Sequence, residues 1–333
     1  MVTIYDIAKR TGFNPATVSR ALNNSDKVKF ETKVIIQTAA VEMGYIPNTV
    51  AQNLKAQKSW NIGIIWNFSD TMGLNHYFFA NILENFHNVA ATNGYDITML
   101  SKKHILKTDY LRYIRSKKFD GIFLICGNFD EPAIIELLYS DVPVVGVDYM
   151  GQNINSMDTA YVTSNNKEIM KEFVTIITKR GHRDILFVTG SDVYVTQERI
   201  AGFKEGLRNI PFRSEMLIRG MYYSMNATKA IVKEILARKT LPSVIIFPDD
   251  YCAIVAIKSL AQANVRVPED VSVCGFDGLE IGTLLSPTLA TVLQDTKAIG
   301  EVAATKLLGL INKQGGEGVQ IIPASIRLGE SLR

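Results

Sequence analysis

Asp249 and Asp250 are adjacent carboxylates, a pairing that can hold a metal ion or divide general acid and general base roles. Neither chemistry finds its other parts in this chain. The four histidines are His76, His87, His104 and His182, and no nucleophile–His–acid set can be assembled around them. Cys126, Cys252 and Cys274 are widely spaced, each in or beside an apolar run. That spacing argues against a disulfide framework and a clustered zinc site, and fits core thiols in a reducing compartment. No Walker or dinucleotide glycine pattern stands at a strand-to-helix turn. Catalytic residues, metal ligands and cofactors are therefore not expected. The chemistry to look for is binding.

The charged side chains indicate one binding surface. Residues 1–60 hold eight basic residues, Lys9, Arg10, Arg20, Lys27, Lys29, Lys33, Lys55 and Lys58, against four acidic ones, a net of +4. The remaining 28 basic and 29 acidic residues give −1. The basic excess lies wholly in the first sixty residues, as in a small nucleic-acid-binding head on a near-neutral body. A solvated basic face has the same sign, so the helix pattern has to carry the distinction.

Short helices must position Arg20. Thr3 caps a first helix that carries Ile4, Ile7 and Ala8 on one face, and Gly12 ends it. Asn14 is an N-cap, and Pro15 suits a first helical turn, where no amide donor is needed. The second helix spans 16–22, with Val18, Ala21 and Leu22 inward and Thr17, Ser19 and Arg20 outward. A turn at 23–25 leads to a third helix over 31–43, expected to bury Val34, Ile35, Ala39 and Met43. Two short helices joined by a tight glycine turn and braced by a third form a helix-turn-helix. Pro47 opens a polar linker.

From residue 61 apolar runs at 62–66, 95–100, 121–126 and 142–147 alternate with helical patterns at 79–93, 110–116 and 131–139. A polar break at 148–166 follows, rich in Asn, Ser and Thr. The alternation restarts with strands at 185–188, 216–218, 244–247 and 271–274 and helices at 167–180, 197–207, 226–238 and 252–263. An extended segment at 288–294, a helix at 296–310 and a strand at 321–328 must complete these units. The pattern predicts a two-lobed α/β core of open parallel sheets, with a cleft at the carboxyl ends of the strands. A chain of 333 residues, 47% hydrophobic and 21% charged, has length for two or three such domains. The expected division is a head at 1–46, a hinge at 47–59 and a core at 60–333. Its first lobe would comprise about 60–159 and 291–318, and its second about 161–288 and 319–333. No apolar run reaches membrane-span length and no signal-peptide pattern opens the chain, so a cytoplasmic protein is expected.

The run Val2-Thr3-Ile4-Tyr5-Asp6-Ile7-Ala8-Lys9-Arg10-Thr11-Gly12, followed by Pro15-Ala16-Thr17-Val18-Ser19-Arg20-Ala21-Leu22-Asn23, closely resembles the head of the lac/galactose repressor family. Gly44-Tyr45-Ile46-Pro47-Asn48 and Ala51-Gln52-Asn53-Leu54 resemble its head-to-hinge junction. In the core, Asn75-His76-Tyr77-Phe78 resembles the family's Asn-Pro-Phe-Phe loop, and Arg199-Ile200-Ala201-Gly202-Phe203 its Arg-x-x-Gly-Phe helix start. Pro268-Glu269-Asp270-Val271-Ser272-Val273-Cys274-Gly275-Phe276-Asp277 is similar to its signature strand, so the resemblance covers essentially the whole chain.

The resemblance implies a periplasmic-binding-protein-like core and a division of labour. The helix starting at Pro15 would enter the major groove, with Ala16, Thr17 and Arg20 at base edges. Thr3, Tyr5, Ser19, Asn23 and Thr32 would hold phosphates. Hinge residues Asn48, Ala51 and Leu54 would lie in the minor groove, Leu54 wedging a central base step. Pro15-Ala16 matches members that read palindromes with a central CG step, which implies a two-fold dimer. By motif match, Asp148, Arg199, Asp249, Asp277 and Gln294 (the last on the third crossover) would line the effector cleft. Tyr77, Phe78 and Tyr223 would supply flat apolar faces. Such a site suits a neutral sugar with vicinal hydroxyls, and three carboxylates disfavour a phosphorylated ligand.

Three positions depart from the family pattern. His76 stands where Pro is usual, and reads as a solvent-facing loop residue. Gly278 stands where Asp is usual, and Asp249 makes the site more acidic than Asn would. The resemblance still implies a sequence-specific regulator, a repressor of carbohydrate-utilisation genes controlled by a small sugar, with no enzyme activity, metal, cofactor or membrane role. The alternative is a catabolite-control-type regulator tuned by a partner phosphoprotein or a non-sugar effector. No heptad tail follows the last strand, which favours a homodimer over a tail-assembled tetramer.

Overall fold

The computed structural model describes residues 2–46, 58–66, 76–100, 109–125, 131–149, 157–316 and 318–333. The chain divides into two units, Met1–Lys58 and Ser59–Arg333. In the first, helices α1 (Ile4–Thr11), α2 (Pro15–Leu22) and α3 (Phe30–Glu42) close around Ile7, Ala8, Val18, Ala21, Val28, Ile36 and Ala40. Thr3 and Asp6 form a reciprocal capping box on α1, and Gly12 ends that helix with a positive φ of 76°. The Asn14 side chain caps α2 by accepting from the Thr17 amide at 2.8 Å, with Pro15 in the first turn.

The buried face of α3 differs from the sequence expectation. Val34 and Ile35 are 44% and 52% exposed, whereas Ile36, Ala39 and Ala40 are buried. Met43 packs at the edge of this core. A one-residue error in phase rotates the assigned face by about 100°, and the closely spaced apolar residues of α3 leave that phase open until α1 and α2 dock.

The second unit contains two six-stranded sheets. The first has the order β11-β5-β4-β3-β1-β2, with β1 (Asn61–Trp66), β2 (Asp96–Leu100), β3 (Gly121–Ile125), β4 (Val144–Val147), β5 (Thr159–Ser164) and β11 (Gly318–Ile322). All of its pairings are parallel. The second has the order β12-β10-β9-β8-β6-β7, with β6 (Ile185–Thr189), β7 (Leu217–Arg219), β8 (Val244–Ile246), β9 (Ser272–Asp277), β10 (Ala290–Leu293) and β12 (Ser325–Arg327). Only β10–β12 is antiparallel among its pairings. Strands such as β3, β4, β6 and β8 are buried along their whole length, as helix-covered parallel strands must be.

The helices that matter for the site are α4 (Tyr77–Thr92), α5 (Tyr110–Lys117), α6 (Pro132–Leu138), α7 (Asn166–Lys179), α8 (Tyr194–Gly206), α9 (Met225–Leu236), α10 (Asp250–Gln262) and α11 (Thr296–Ile311). Helix α11 packs its Ile299, Ala303, Ala304 and Leu307 into the first lobe against Phe86 and Ile82 of α4. Helix α8 lies close to α7 because Gly202 faces the Lys167 carbonyl, where any Cβ would collide with the backbone.

Strand membership corrects the expected lobe limits. The polar stretch before residue 166 contains β5, which pairs with β4 and β11 in the first sheet, so the first crossover comes after Ser164. Strand β10 belongs to the second sheet, so the second crossover comes after Leu293. The single strand expected at 321–328 is two strands, β11 in the first lobe and β12 in the second. Polar composition hid β5: Thr159, Thr163 and Ser164 are buried, and the hydroxyls of Thr159 and Thr163 use hydrogen bonds to the Leu138 carbonyl and to Asp148 to remain there. Gln294 consequently lies on the second crossover rather than the third.

Candidate functional site

Two surfaces bring the sequence-marked residues together, one in each unit. In the head, α2 presents Pro15, Ala16 and Arg20 as exposed and Thr17 and Ser19 as half-exposed. The Arg20 side chain has no hydrogen bond or ion pair among the described residues. Asn23 follows the helix and donates from Nδ2 to the Ser19 carbonyl at 2.8 Å. Tyr5 is 74% exposed at the start of α1, and Thr32 is half-exposed in the first turn of α3. The Thr3 hydroxyl is engaged with Asp6, at 2.7 Å. This surface can meet a nucleic acid with one unengaged guanidinium, hydroxyls and an amide. Asn48, Ala51 and Leu54, like Asn75 and Cys126, lie outside the described residues.

In the second unit the site residues sit beyond the carboxyl ends of parallel strands. Asp148 directly follows β4 with φ +61°, and accepts a hydrogen bond from Thr163 Oγ1 of β5 at 3.2 Å. Asp249 follows β8 and caps α10 by accepting from the Cys252 amide at 2.8 Å. Its other oxygen accepts from the Tyr223 amide, also at 2.8 Å. Tyr223 is held at φ +56°, and its hydroxyl donates to Asp277 Oδ2 at 3.4 Å. Gln294 Nε2 donates to Asp277 Oδ1 at 2.9 Å, and Gln294 Oε1 is buried with no partner among the described residues.

Arg199 is the cation of this group. It projects from α8 and is 3% exposed. Its Nε donates to Asn166 Oδ1 at 2.8 Å, and its Nη1 to the Pro248 carbonyl at 3.0 Å. Its guanidinium lies 3.5 Å from the centre of the Phe276 ring. Burial raises the carboxyl pKa values of Asp148 and Asp249 and pushes that of Asp277 well above the usual range, with Arg199 opposing the rise at each. The result is a polar cluster that combines buried carboxyls, which hold protons more tightly than usual, with a fixed guanidinium and an amide. It can both donate to and accept from hydroxyl groups.

Not every expected residue joins this cluster. Phe78 is 1% exposed, and its ring packs into the first-lobe core. Phe79, buried in the same core, comes nearer the site, its ring centre 5.9 Å from that of Tyr223. Tyr77 is 63% exposed, and its backbone hydrogen-bonds with Tyr251. His76 is 0% exposed, not solvent-facing, and its ring centre lies 3.8 Å from that of Tyr223. Asn166, Thr163 and Tyr222 also belong to the site, and the sequence reading did not single them out. Asn166 and Thr163 lie in the polar stretch around β5, while Tyr222 adjoins Tyr223 and shares a 2.9 Å hydrogen bond with Thr196.

Asp250 belongs to a different, structural network. It is buried, accepts from the Leu279 amide at 2.6 Å and Thr291 Oγ1 at 2.5 Å, and packs against Gly275, where a Cβ would strike its carboxyl. Burial pushes its pKa up to about 7. Cys252 and Cys274 are buried free thiols. No cluster of metal-ligating side chains occurs among the described residues, and none of the described helices is long and apolar enough to cross a membrane.

Comparisons with known proteins agree with this architecture. Residues 3–48 match the family described as bacterial regulatory proteins, lacI family, and residues 174–332 match a periplasmic binding protein-like domain. The chain is 31% identical over 326 residues to the Probable HTH-type transcriptional repressor ExuR of Bacillus subtilis (strain 168), covering 97% of this chain and 95% of the relative. It is 29% identical over 324 residues to the HTH-type transcriptional repressor PurR of Aliivibrio fischeri (strain MJ11), covering 95% and 94% of the two chains. Among solved structures, the lac repressor dimer bound to operator and an anti-inducer shares the fold at a TM-score of 0.84, with 24% identity and 99% coverage of both chains. A complex of the transcriptional regulator CelR with cellobiose superposes at a TM-score of 0.74, with 22% identity and 99% and 100% coverage. The chain belongs to the LacI/GalR family, and it is a helix-turn-helix, sequence-specific DNA-binding transcriptional regulator rather than an enzyme.

Proposed function

We propose that this regulator is a cytoplasmic, homodimeric repressor of carbohydrate-utilisation genes, released from or fixed on a palindromic operator by a small neutral sugar in the interlobe cleft. The observation that carries the sugar reading is the convergence of Asp148, Arg199 and Asp277 near Tyr222 and of Asp249, Asp277 and Gln294 near Tyr223, with the buried Gln294 Oε1 unpartnered among the described residues. Vicinal hydroxyls need paired donors and acceptors, and a pyranose needs one flat apolar face. The excess of carboxyls over cations argues against a phosphorylated ligand. CelR, of the same fold, was solved with cellobiose.

On the DNA side, Ala16, Thr17 and Arg20 are assigned to base edges, where an arginine reads guanine bidentately. Pro15 starts that helix in the groove, and Thr3, Tyr5, Ser19, Asn23 and Thr32 are assigned to phosphates. The hinge, 47–59, is assigned to the minor groove through Asn48, Ala51 and Leu54 at a central CG step. The test is fluorescence anisotropy of a labelled central-CG palindrome at fixed salt, with a panel of mono- and disaccharides. Affinity changed by one sugar supports the reading. Tight binding that no sugar alters removes the sugar and shifts support to a phosphoprotein partner or a non-sugar effector.

A further inference from the structure

His76 and Tyr223 come from opposite lobes. His76 caps the N-terminus of α4, beyond β1 of the first sheet. Tyr223 stands between β7 and α9 of the second. Their ring centres are 3.8 Å apart, with planes at 73°, and three more rings surround the contact: Phe79 at 5.0 Å, Tyr251 at 5.3 Å and Phe78 at 6.4 Å from His76. Tyr251 belongs to the second lobe and Phe78 and Phe79 to the first, so the cluster spans the boundary. Leu279 of the second lobe is also buried in the first-lobe core.

The tyrosine side of this contact is rigidly held. The Tyr223 amide donates to the buried Asp249, and its hydroxyl donates to the buried Asp277. The backbone adopts φ +56°, a conformation costly for a non-glycine residue and maintained only where its surroundings impose it. The histidine side is an uncharged ring at neutral pH, because burial lowers its pKa to about 4. An imidazole edge against a fixed phenol ring is a favourable aromatic arrangement, and here it lies where His76 is buried and Tyr223 partly so.

We propose that His76 is an interlobe latch: by packing on Tyr223 it holds the two lobes together in the ligand-free protein, occupying the aromatic face that a ligand would otherwise cover. The proposal rests on the reading of this cleft as the effector site, but it makes a claim about the empty protein that needs no effector. A ligand that stacks on Tyr223 must first displace the imidazole. His76 is thus a positioning residue, and its replacement alters the closed state without removing any hydrogen-bonding group of the polar cluster.

The experiment is a distance measurement in the full-length protein without ligand. Spin labels are attached through Glu136→Cys on α6 and Lys229→Cys on α9, in a Cys126→Ser background. Labelled chain is diluted into excess unlabelled chain so that one labelled protomer is read at a time. His76→Ala is expected to lower the closed-to-open ratio roughly two- to tenfold, the worth of one aromatic pair, and His76→Phe to restore it. An unchanged distance distribution in His76→Ala, or failure of His76→Phe to restore closure, overturns the latch. Should His76→Ala fail to fold, Tyr223→Ala is read by the same criterion from the other lobe. The sugar panel on operator DNA separately decides the effector reading.

Discussion

Arg199 Nε donates to Asn166 Oδ1 at 2.8 Å, and the Asn166 amide nitrogen donates in turn to Thr163 Oγ1 at 3.3 Å. Thr163 Oγ1 reaches Asp148 at 3.2 Å. One chain of polar contacts therefore runs from α8 of the second lobe, through the first crossover, to the carboxyl end of β4 in the first.

Arg199→Ala is expected to abolish the response to effector while leaving effector-free operator binding within a few-fold of wild type. It also leaves Asp148, Asp249 and Asp277 without their cation, so the core should lose about 3 kcal/mol of stability. Arg199→Lys should recover part of the stability and little of the response, because lysine lacks the planar fork. Calorimetric unfolding and anisotropy titration read the two effects separately. Retained effector binding in Arg199→Ala would remove it from the ligand set.

Arg20→Ala is expected to weaken operator binding by about 1–3 kcal/mol and to relax preference at one base position. The head should keep its fold, since the side chain is exposed and does not pack in the core. By contrast, Leu54→Ala should weaken operator binding far more than binding to random DNA, as loss of an intercalating wedge requires. Equal losses on both DNAs would count against the wedge.

Thr3→Ala removes one half of the capping box on α1 and should cost the head about 1 kcal/mol. The loss should shrink at low pH, because the Thr3 hydrogen bonds lower the pKa of Asp6 and are stronger to its ionised form. Thermal unfolding of the head, followed by helical circular dichroism at two pH values, measures both.

His76 and Asp250 give the core pH dependences of opposite sign over the same acidic range. Burial lowers the His76 pKa from its ordinary 6.5 to about 4, so the folded state binds its proton less well than the unfolded chain. Stability from this source is full above pH 6.5 and falls as the pH drops toward 4, by roughly 3 kcal/mol. The faces around His76 are the rings of Phe78, Phe79, Tyr223 and Tyr251, and Tyr223 is itself held by Asp249 and Asp277. Asp250 is raised from 3.8 to about 7, so its contribution is full below 3.8 and is lost as the pH rises through 7. The two slopes oppose each other between about pH 4 and 7, so over that range urea midpoints should fall more steeply with rising pH in His76→Phe than in wild type, and rise more steeply in Asp250→Asn.

The sequence by itself determined the head and the architecture. Capping residues, Pro15 and Gly12 act within a few residues, so α1 and α2 are local consequences of residue type. Alternating apolar runs and amphipathic stretches determined the two α/β lobes, because a strand covered by helices on both faces must be apolar throughout. Tertiary structure alone decided what crosses between elements. The buried phase of α3 depended on docking to α1 and α2, and β5 is a strand despite its polar residues because β4 and β11 flank it and buried hydrogen bonds engage the hydroxyls of Thr159 and Thr163. The lobe limits followed from which strands pair, a non-local matter. His76 shows the same division most clearly. Its type and its neighbours suggest a loop residue, yet the approach of Tyr223, distant in sequence and fixed by Asp249, buries it between two lobes.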